Sequence, residues 1–379
     1  MPIKLSTTPC GGLAMTTITD IFRTYSDDYI EKFGKNIPEL HKKAIHDIVN
    51  CRTQSSGILI YECKECGKTH LVMRSCGNRH CPCCQNHKTS QWLDRQLDRQ
   101  LPGHHFMITF TVPEQLRNFI RSNQKLSYSA MFDASSQTLK DFAADDRFVG
   151  GDLPGFFGVL HTWGRQLQYH PHIHYIVPGG AISKSEGKWH PSRQDFFAPV
   201  MAMSEVFRAK LRDAFKNAGL FNAVDPDIWK TGFNVNCQAV GASENSIHYL
   251  APYVFKVAIS NSRIIKVDND RVFFKYKKSK SNRFRTMSLD VFEFMRRFLQ
   301  HVLPKGFMKV RYYGFMSHNS SIPLPEIASL IQMAYGFFIE RTMPEKKNVF
   351  IGPYCPDCEG GMVLKASIIT YVESDSGFI

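Results

Sequence analysis

The feature that most constrains this chain is a cluster of cysteines in its first quarter. Seven of the 11 cysteines lie between Cys51 and Cys84, and two pairs in this cluster have the spacing Cys-x2-Cys, at 63/66 and 81/84. Each pair places two thiolates on one tight turn, and two such turns complete a tetrahedral zinc site. The spacing therefore predicts a structural zinc site formed by Cys63, Cys66, Cys81 and Cys84.

Further potential ligands lie in the same cluster. Cys51, Cys76 and His80 predict a second zinc site. Its fourth ligand is left open among four nearby residues: His46, His70, Cys83 and His87. A site closed by four protein ligands has no free coordination position, so both sites are expected to be structural. Buried thiols or a redox dithiol are the alternative, but they account poorly for so many cysteines in so short a stretch.

A separate Cys-x2-Cys pair, Cys355 and Cys358, lies far along the chain. No second pair is near it in sequence. The pattern there fits zinc ligands and ordinary surface thiols equally well.

Composition indicates a folded protein in a reducing compartment. Hydrophobic residues make up 43% of the chain and charged residues 21%, which excludes wholesale disorder. The length of 379 residues suggests two or three domains. Residues 1–30 lack the apolar segment and basic flank of a secretion signal, and no apolar run reaches the roughly 18 residues of a membrane span. We therefore expect a cytoplasmic protein whose clustered thiols stay reduced and bind metal.

Positive charge is concentrated in one part of the chain. The net charge is +13 and the pI is about 9.2, and residues 256–311 alone contain 15 Lys and Arg against 4 Asp and Glu. Aromatic residues are interleaved with these charges. Charge that follows a phosphate backbone and rings that stack on bases are typical of single-stranded nucleic-acid binding, whereas the alternative is a solvated basic face over core aromatics. We predict DNA contacts from six residues of the segment: Lys256, Lys275, Lys277, Lys278, Arg283 and Arg285.

Local patterns predict a mixture of helices and strands. The spacing of leucines predicts a helix over residues 85–101, and a repeating apolar face predicts another over residues 204–218. Runs of β-branched and aromatic residues predict three strands: His105–Val112, Phe156–His161 and His172–Val177. Because no regular strand–helix–strand rhythm is present, the pattern favours an α+β fold. The predicted segments are a lead at 1–40, a zinc-binding domain at 41–101, a larger domain at 102–320 and a C-terminal segment at 321–379.

The last of these strands carries paired histidines. Side chains alternate along a strand, so His172 and His174 point to one face while Ile173 and Tyr175 point to the other. Two imidazoles in this arrangement can bind a divalent cation, and a third ligand from elsewhere would leave positions for water and substrate. For that third ligand His248 is preferred over three alternatives: Glu244, His161 and His170. A chance group of histidines on an exposed strand is the competing interpretation.

A pair of tyrosines follows in residues 243–261. Ser243 or Asn245 can cap a helix there, on which Tyr249 and Tyr253 lie four residues apart on one face. Pro252 predicts a kink, or a helix whose first turn lies near the first tyrosine. Taken alone, such a pair is more often part of a core than of a catalytic site.

Several segments together resemble one family, the IS91-type transposases, which are His-hydrophobe-His (HUH) nucleases with two tyrosines. The resemblance spans roughly residues 40–360, in family order. It is carried by CRTQSSG at 51–57, SCGNRHCPCCQ at 75–85, FMITFTVPEQL at 106–116, HTWGRQLQYHPHIHYIVPGGAIS at 161–183, YLAPYVFKVAISNSRI at 249–264 and RRFLQHVLPKGFMKVRYYGF at 296–315. The chain departs from the family at Pro252, where many members have a basic residue, and at the extra Cys83.

The resemblance implies an antiparallel-sheet nuclease domain with flanking helices behind the zinc-binding module. It further implies that His172 and His174 hold Mg²⁺ or Mn²⁺ and that Tyr249 and Tyr253 attack single-stranded DNA, each forming a 5′-phosphotyrosine bond. The implied reaction is rolling-circle-like strand transfer at the ends of an insertion element. The implied partners are single-stranded DNA and those end sequences, not a membrane.

Other interpretations share part of this chemistry. A plasmid or phage replication initiator or relaxase would use the same site, but the zinc ligands and residues 296–315 favour the transposase. A zinc-containing DNA-binding regulator would have no use for paired histidines and tyrosines. In a metallohydrolase, water would attack and the tyrosines would be inert.

Overall fold

A computed structural model describes residues 3–4, 17–241, 247–248, 258–278, 281, 283–336 and 353–369. Its α-helices are α1 (Ile18–Phe33), α2 (Glu39–Asn50), α3 (Gln85–Asp98), α4 (Glu114–Ser122), α5 (Gln124–Ala144), α6 (Val200–Asn217), α7 (Val291–Leu299) and α8 (Leu324–Tyr335). Its strands are β1 (Ile3–Lys4), β2 (Ile58–Cys63), β3 (Thr69–Met73), β4 (His105–Thr111), β5 (Phe156–Trp163), β6 (Tyr169–Pro178), β7 (Gly180–Ser183), β8 (Lys188–Pro191), β9 (Asn234–Gly241), β10 (Ile264–Asp268), β11 (Arg271–Lys277), β12 (Phe284–Asp290), β13 (Val310–Tyr313), β14 (Pro353–Tyr354) and β15 (Met362–Ile368).

The chain divides into two compact units, neither of which is continuous in sequence. A cysteine-rich unit contains residues 1–88, 259–302 and 341–379, and a sheet unit contains residues 89–258 and 303–340. This division differs from the contiguous segments predicted above, because strands pair with partners that lie far away in sequence. Residues 259–302 in particular group with the cysteines and not with the larger sheet.

In its described residues, the cysteine-rich unit has a helical part, two small antiparallel sheets and a parallel pair of short strands, β1 and β14. Helix α1 begins with a capping box, in which the Thr17 hydroxyl accepts from the Asp20 N–H and the Asp20 carboxylate accepts from the Thr17 N–H. It packs against α7, where the rings of Phe22 and Phe298 lie 5.2 Å apart. The sheets have the strand orders β10-β11-β12 and β15-β2-β3.

The sheet unit is built on a five-stranded antiparallel sheet with the order β13-β5-β6-β4-β9. One face is covered by α5 and α6. The ring centroids of Phe110 and Phe207 lie 5.0 Å apart, and the hydroxyl oxygens of Tyr175 and Ser135 lie 2.7 Å apart. Each fully buried apolar side chain on this face contributes roughly 1.5–3 kcal/mol. The strand residues that alternate with Phe110 and Tyr175 point to the opposite face of the sheet, which carries the candidate site.

The α+β class is confirmed, with a cysteine-rich module preceding an antiparallel sheet flanked by helices. Helix α3 ends slightly before the predicted 85–101, whereas α6 begins four residues before the predicted 204–218. Strands β5 and β6 are longer than predicted because their mutual hydrogen bonding continues to Trp163 and Tyr169, beyond the alternating pattern. Within the part of the chain that the structure describes, no helix combines the length and the apolarity that a membrane span requires.

Candidate metal and nucleic-acid sites

Three histidines meet on the face of the five-stranded sheet that lies opposite α5 and α6. The register of β5 and β6 places His161 opposite His172, so both side chains lie on the same face as His174, two residues along β6. Each of the three offers a ring nitrogen, and these nitrogens lie within 4.8 Å of one another. The ring centroids are 4.6–5.3 Å apart. The three side chains can therefore converge on one metal ion.

Hydrogen bonds hold the rings of the two β6 histidines. His172 Nδ1 donates to the His170 carbonyl oxygen over 2.7 Å, which leaves Nε2 as the nitrogen with a lone pair. His174 Nδ1 lies 2.8 Å from Thr109 Oγ1 on β4, the residue paired with it in the sheet. Metal-binding histidines in proteins are commonly oriented in this way through the second ring nitrogen.

The electrostatics favour neutral imidazoles. Burial lowers the pKa of His172 to about 3, with the neighbouring His170 and Arg117 adding to the effect. Burial likewise holds the pKa values of His161 and His174 well below the usual range. Since only a neutral imidazole can bind a metal, all three are in the right form near pH 7.

Among the described residues, His161 is the third histidine that groups with His172 and His174, and His248, the preferred candidate, is not part of this group. His248 is exposed and belongs to no group of potential ligands among the described residues. The reason is the strand register, which brings residue 161 directly beside 172. His170 lies next to His172, with ring centroids 5.0 Å apart, but outside the group of three.

Two cationic side chains near this cluster were missed at the sequence level. Lys309 Nζ lies 4.5 Å from the centre of the Trp163 ring, which in turn stacks on His161 at 5.0 Å. Arg117 on α4 depresses the pKa values of His170 and His172, and its Nε makes no hydrogen bond to a described residue. Arg117 lies in none of the segments singled out from the sequence, and Lys309 lies in the basic segment 256–311 without having been chosen there, so their position beside the histidines is what reveals them.

The other predicted residues of this site cannot be placed. Tyr249, Tyr253, Lys256 and Glu244 lie outside the described residues. Nearby Ile247 is described, and it is buried in one apolar cluster with Phe157 and Ile176, which lie on the same sheet face as the histidines.

The cysteines form two tetrads, and the predicted grouping was wrong. One tetrad consists of Cys51, Cys76, Cys81 and Cys84, and the other of Cys63, Cys66, Cys355 and Cys358, with the sulfurs of each within 4.8 Å of one another. The Cys-x2-Cys turn at 63/66, here called a knuckle, therefore does not share a site with the turn at 81/84. Antiparallel pairing of β15 with β2, in which Met362 lies opposite Cys63, brings the distant C-terminal pair to the first knuckle instead.

The first tetrad, named here the N-terminal tetrad, is compact. The sulfur of Cys84 lies 3.4 Å from that of Cys51 and 3.5 Å from that of Cys76. In a tetrahedral site with Zn–S bonds of about 2.3 Å, sulfurs are about 3.8 Å apart, so the geometry suits zinc. His80 is buried but belongs to neither tetrad, and Cys83 lies 3.3 Å from the Thr19 hydroxyl instead.

The predicted DNA-contact residues that the structure describes lie on the hairpin β11–β12 of the cysteine-rich unit. Lys275 and Lys277 share a face with Phe284, whose side chain is 66% exposed. Arg285 is paired with Tyr276 and points to the opposite face. Lys278 and Arg283 close the hairpin, the Lys278 N–H donating to the Arg283 carbonyl oxygen over 3.1 Å. The hairpin thus presents a face on which lysines flank an exposed aromatic ring.

Comparison with known proteins identifies the family. Residues 21–112 match the family model "Transposase zinc-binding domain", and residues 155–322 match the model "Putative transposase". A putative transposase, y4qJ, of Sinorhizobium fredii is 34% identical over an alignment 379 positions long, which covers 93% of this chain and 95% of that protein. This chain belongs to the IS91 family of transposases. The first match contains the whole N-terminal tetrad, and the second contains the histidine cluster.

A second relative of this IS91-family transposase is more distant. The transposase for insertion sequence element IS801 of Pseudomonas savastanoi pv. phaseolicola is 26% identical over 320 residues, covering 78% of this chain and 75% of that protein. No solved structure matches the chain. The two family models thus support zinc binding and transposition for this chain.

Proposed function

We propose that this transposase nicks single-stranded DNA at the ends of its insertion element with a tyrosine nucleophile and transfers the cut strand in a rolling-circle-like reaction. The observation that carries the proposal is the convergence of three neutral imidazoles on one face of a sheet. Three protein ligands leave positions for substrate oxygens, unlike the closed cysteine tetrads. This arrangement is typical of a catalytic metal site.

The donor set fits a divalent ion. His161, His172 and His174 would hold it, and imidazole ligands suit Mn²⁺ better than Mg²⁺. When bound, such an ion polarises the scissile phosphate and offsets the negative charge that develops during attack. The hydrogen bonds from His172 to the His170 carbonyl and between His174 and Thr109 keep the ligand nitrogens aimed at one point.

The proposed nucleophiles are Tyr249 and Tyr253. The position of Ile247 supports this assignment, because it belongs to the same buried apolar cluster as Ile176, which lies two residues from His174 on the same face of β6. That spacing is about 7 Å along a strand, and Tyr249 follows Ile247 by two residues. In the reaction, the phenol oxygen forms a bond to phosphorus, the DNA 3′-oxygen leaves and becomes a free 3′-OH, and the phenol proton passes to solvent. Because the phosphotyrosine bond retains the phosphodiester energy, strand transfer needs no ATP.

Arg117 and Lys309 are proposed to position the DNA backbone beside the metal. Burial lowers the pKa values of the cluster's histidines, and the charge of Lys309 adds to this effect at His161 and that of Arg117 at His172. Arginine and lysine near a scissile phosphate stabilise the additional charge of the transition state. The Lys309 ammonium also lies over Trp163, and this contact limits the directions in which the side chain can point.

The cysteine-rich unit is proposed to bind DNA. Zinc in the N-terminal tetrad would join the end of α2 to the loop that follows β3, and would so stabilise this module. On the hairpin, Lys275 and Lys277 supply charge and Phe284 supplies a stacking surface worth about 1–3 kcal/mol per base.

A cleavage assay tests the proposal. The full-length protein is incubated with Mn²⁺ and labelled single-stranded oligonucleotides from the element ends, and the products are separated on denaturing gels. We expect label that migrates with the protein, reduced by either Tyr249→Phe or Tyr253→Phe and absent from the double variant. An adduct that persists in the double variant contradicts the tyrosine assignment, and free nicked DNA without any adduct indicates attack by water. His170→Ala is the matched control, because this residue adjoins the cluster without joining it.

A further inference from the structure

The second cysteine tetrad, Cys63, Cys66, Cys355 and Cys358, is built from two knuckles with the same backbone design. In the first, the Gly67 N–H donates to the Cys63 carbonyl over 3.1 Å, and the Cys63 N–H donates to the Lys68 carbonyl over 2.9 Å. In the second, the Glu359 N–H donates to the Cys355 carbonyl over 2.9 Å, and the Cys355 N–H donates to the Gly360 carbonyl over 2.8 Å. Two unrelated stretches of chain thus form equivalent turns.

The two knuckles also share a backbone conformation. The residue after each second cysteine has a positive φ, +68° at Gly67 and +60° at Glu359. Glycine adopts this conformation freely, but glutamate does so with strain. The second knuckle therefore keeps an unfavourable conformation at Glu359 that serves to complete the turn and to present both thiols.

The sulfur positions suit one tetrahedral ion. The sulfur of Cys63 lies 3.4 Å from that of Cys358, and the sulfur of Cys66 lies 3.7 Å from that of Cys355, all four being free thiols. These separations are close to the value of about 3.8 Å expected around zinc. In each knuckle the first cysteine is buried and the second is exposed, so the site lies near the surface, where β2 ends and β15 begins.

Contacts around the tetrad join the two knuckles. Lys68 of the first forms an ion pair with Asp357 of the second, with Nζ 2.9 Å from the carboxylate. His70 Nε2 lies 3.3 Å from the Cys355 sulfur, which provides a hydrogen-bonding group next to the ligands. Beyond the knuckles, β15 pairs with β2 over most of its length.

We infer that Cys63, Cys66, Cys355 and Cys358 bind a second zinc ion, independent of the N-terminal tetrad. Cys355 and Cys358 lie outside both family matches, which end at residue 322. The ion would clamp residues 353–369 onto β2, so that the zinc-binding module is assembled from two distant parts of the chain. Four thiolates close the coordination shell, and the site is structural. The inference does not depend on the proposed nuclease chemistry.

Metal content of the purified full-length protein tests the inference. Elemental analysis should give two zinc ions per chain in the wild type and one in the double variant Cys355→Ser/Cys358→Ser. The variant Cys81→Ser/Cys84→Ser should also retain one ion, held at the other tetrad. Cys237→Ser, on β9 of the sheet unit, is the control and should retain both. A single zinc in the wild type, two zinc ions in Cys355→Ser/Cys358→Ser, or iron in place of zinc would each overturn the assignment.

A second measurement guards against simple misfolding. Cys358→His replaces a thiolate with another zinc ligand and should restore the second ion. Hydrogen exchange of β15 should be fast in Cys355→Ser/Cys358→Ser and slow in Cys358→His, while that of β4 and β6 is unchanged in both. Equal exchange of β15 in the wild type and the serine variant contradicts a metal clamp at this strand.

Discussion

Replacing Thr109 by valine tests whether the histidine cluster is a metal site oriented by hydrogen bonding. The Thr109 hydroxyl lies 2.8 Å from His174 Nδ1, on the strand paired with β6. Valine has a similar size and the same β-branched shape, and it is favourable in strands, so β4 should be retained. The substitution therefore removes the polar contact that orients the His174 ring and leaves the backbone in place.

The expected effect is moderate. Loss of the hydrogen-bonding partner of a metal-bound histidine typically lowers metal affinity or activity by about 10–100-fold. That range corresponds to roughly 1.4–2.8 kcal/mol. A neutral hydrogen bond alone is worth about 1 kcal/mol, which places the expected loss towards the lower end of the range. We expect the Mn²⁺ concentration for half-maximal cleavage to rise about 10-fold.

The assay is a Mn²⁺ titration of oligonucleotide cleavage by wild type and variant, with urea unfolding as a check on stability. Thr109→Ser, which restores the hydroxyl, should return the Mn²⁺ requirement towards that of the wild type. An unchanged requirement in Thr109→Val refutes the orienting role. A serine variant as impaired as the valine variant shows that the hydroxyl is not the cause.

Three further predictions follow from other parts of the molecule. His161→Ala should abolish cleavage and His248→Ala should leave it intact; the reverse result contradicts the ligand set. Lys275→Ala/Lys277→Ala should weaken single-stranded DNA binding, measured by fluorescence anisotropy at several salt concentrations. The slope of log K against log salt should fall in magnitude by about 1.4, at about 0.7 per lost phosphate contact. An unchanged slope shows that these two lysines of the hairpin do not contact the DNA backbone. Tyr175→Phe removes a buried hydrogen bond to a serine of α5 and should lower the free energy of urea unfolding by about 1 kcal/mol, and a stability equal to that of the wild type contradicts the importance of this bond.

Local patterns were enough to predict much of the fold. The α+β class was predicted from the irregular mixture of helix and strand patterns, and the central strands from runs of β-branched and aromatic residues. The common face of His172 and His174 follows from alternation along a single strand, which depends only on neighbouring residues. The same holds for the cysteines, whose number and spacing indicate a zinc-binding protein without any knowledge of the fold. Tyr249 and Tyr253 remain a prediction, because they lie outside the described residues.

Pairing between distant segments decided the rest. His161 joins the other two histidines because β5 and β6 pair in one register, and a shift by one residue would move it to the opposite face. Cys355 and Cys358 lie next to Cys63 because β15 pairs with β2, although the two strands are near opposite ends of the sequence. Spacing along the sequence specifies which residues can bind metal on the same turn or strand. Which turns and strands meet depends on the burial and hydrogen bonding of the whole sheet, and this is a property of the tertiary structure.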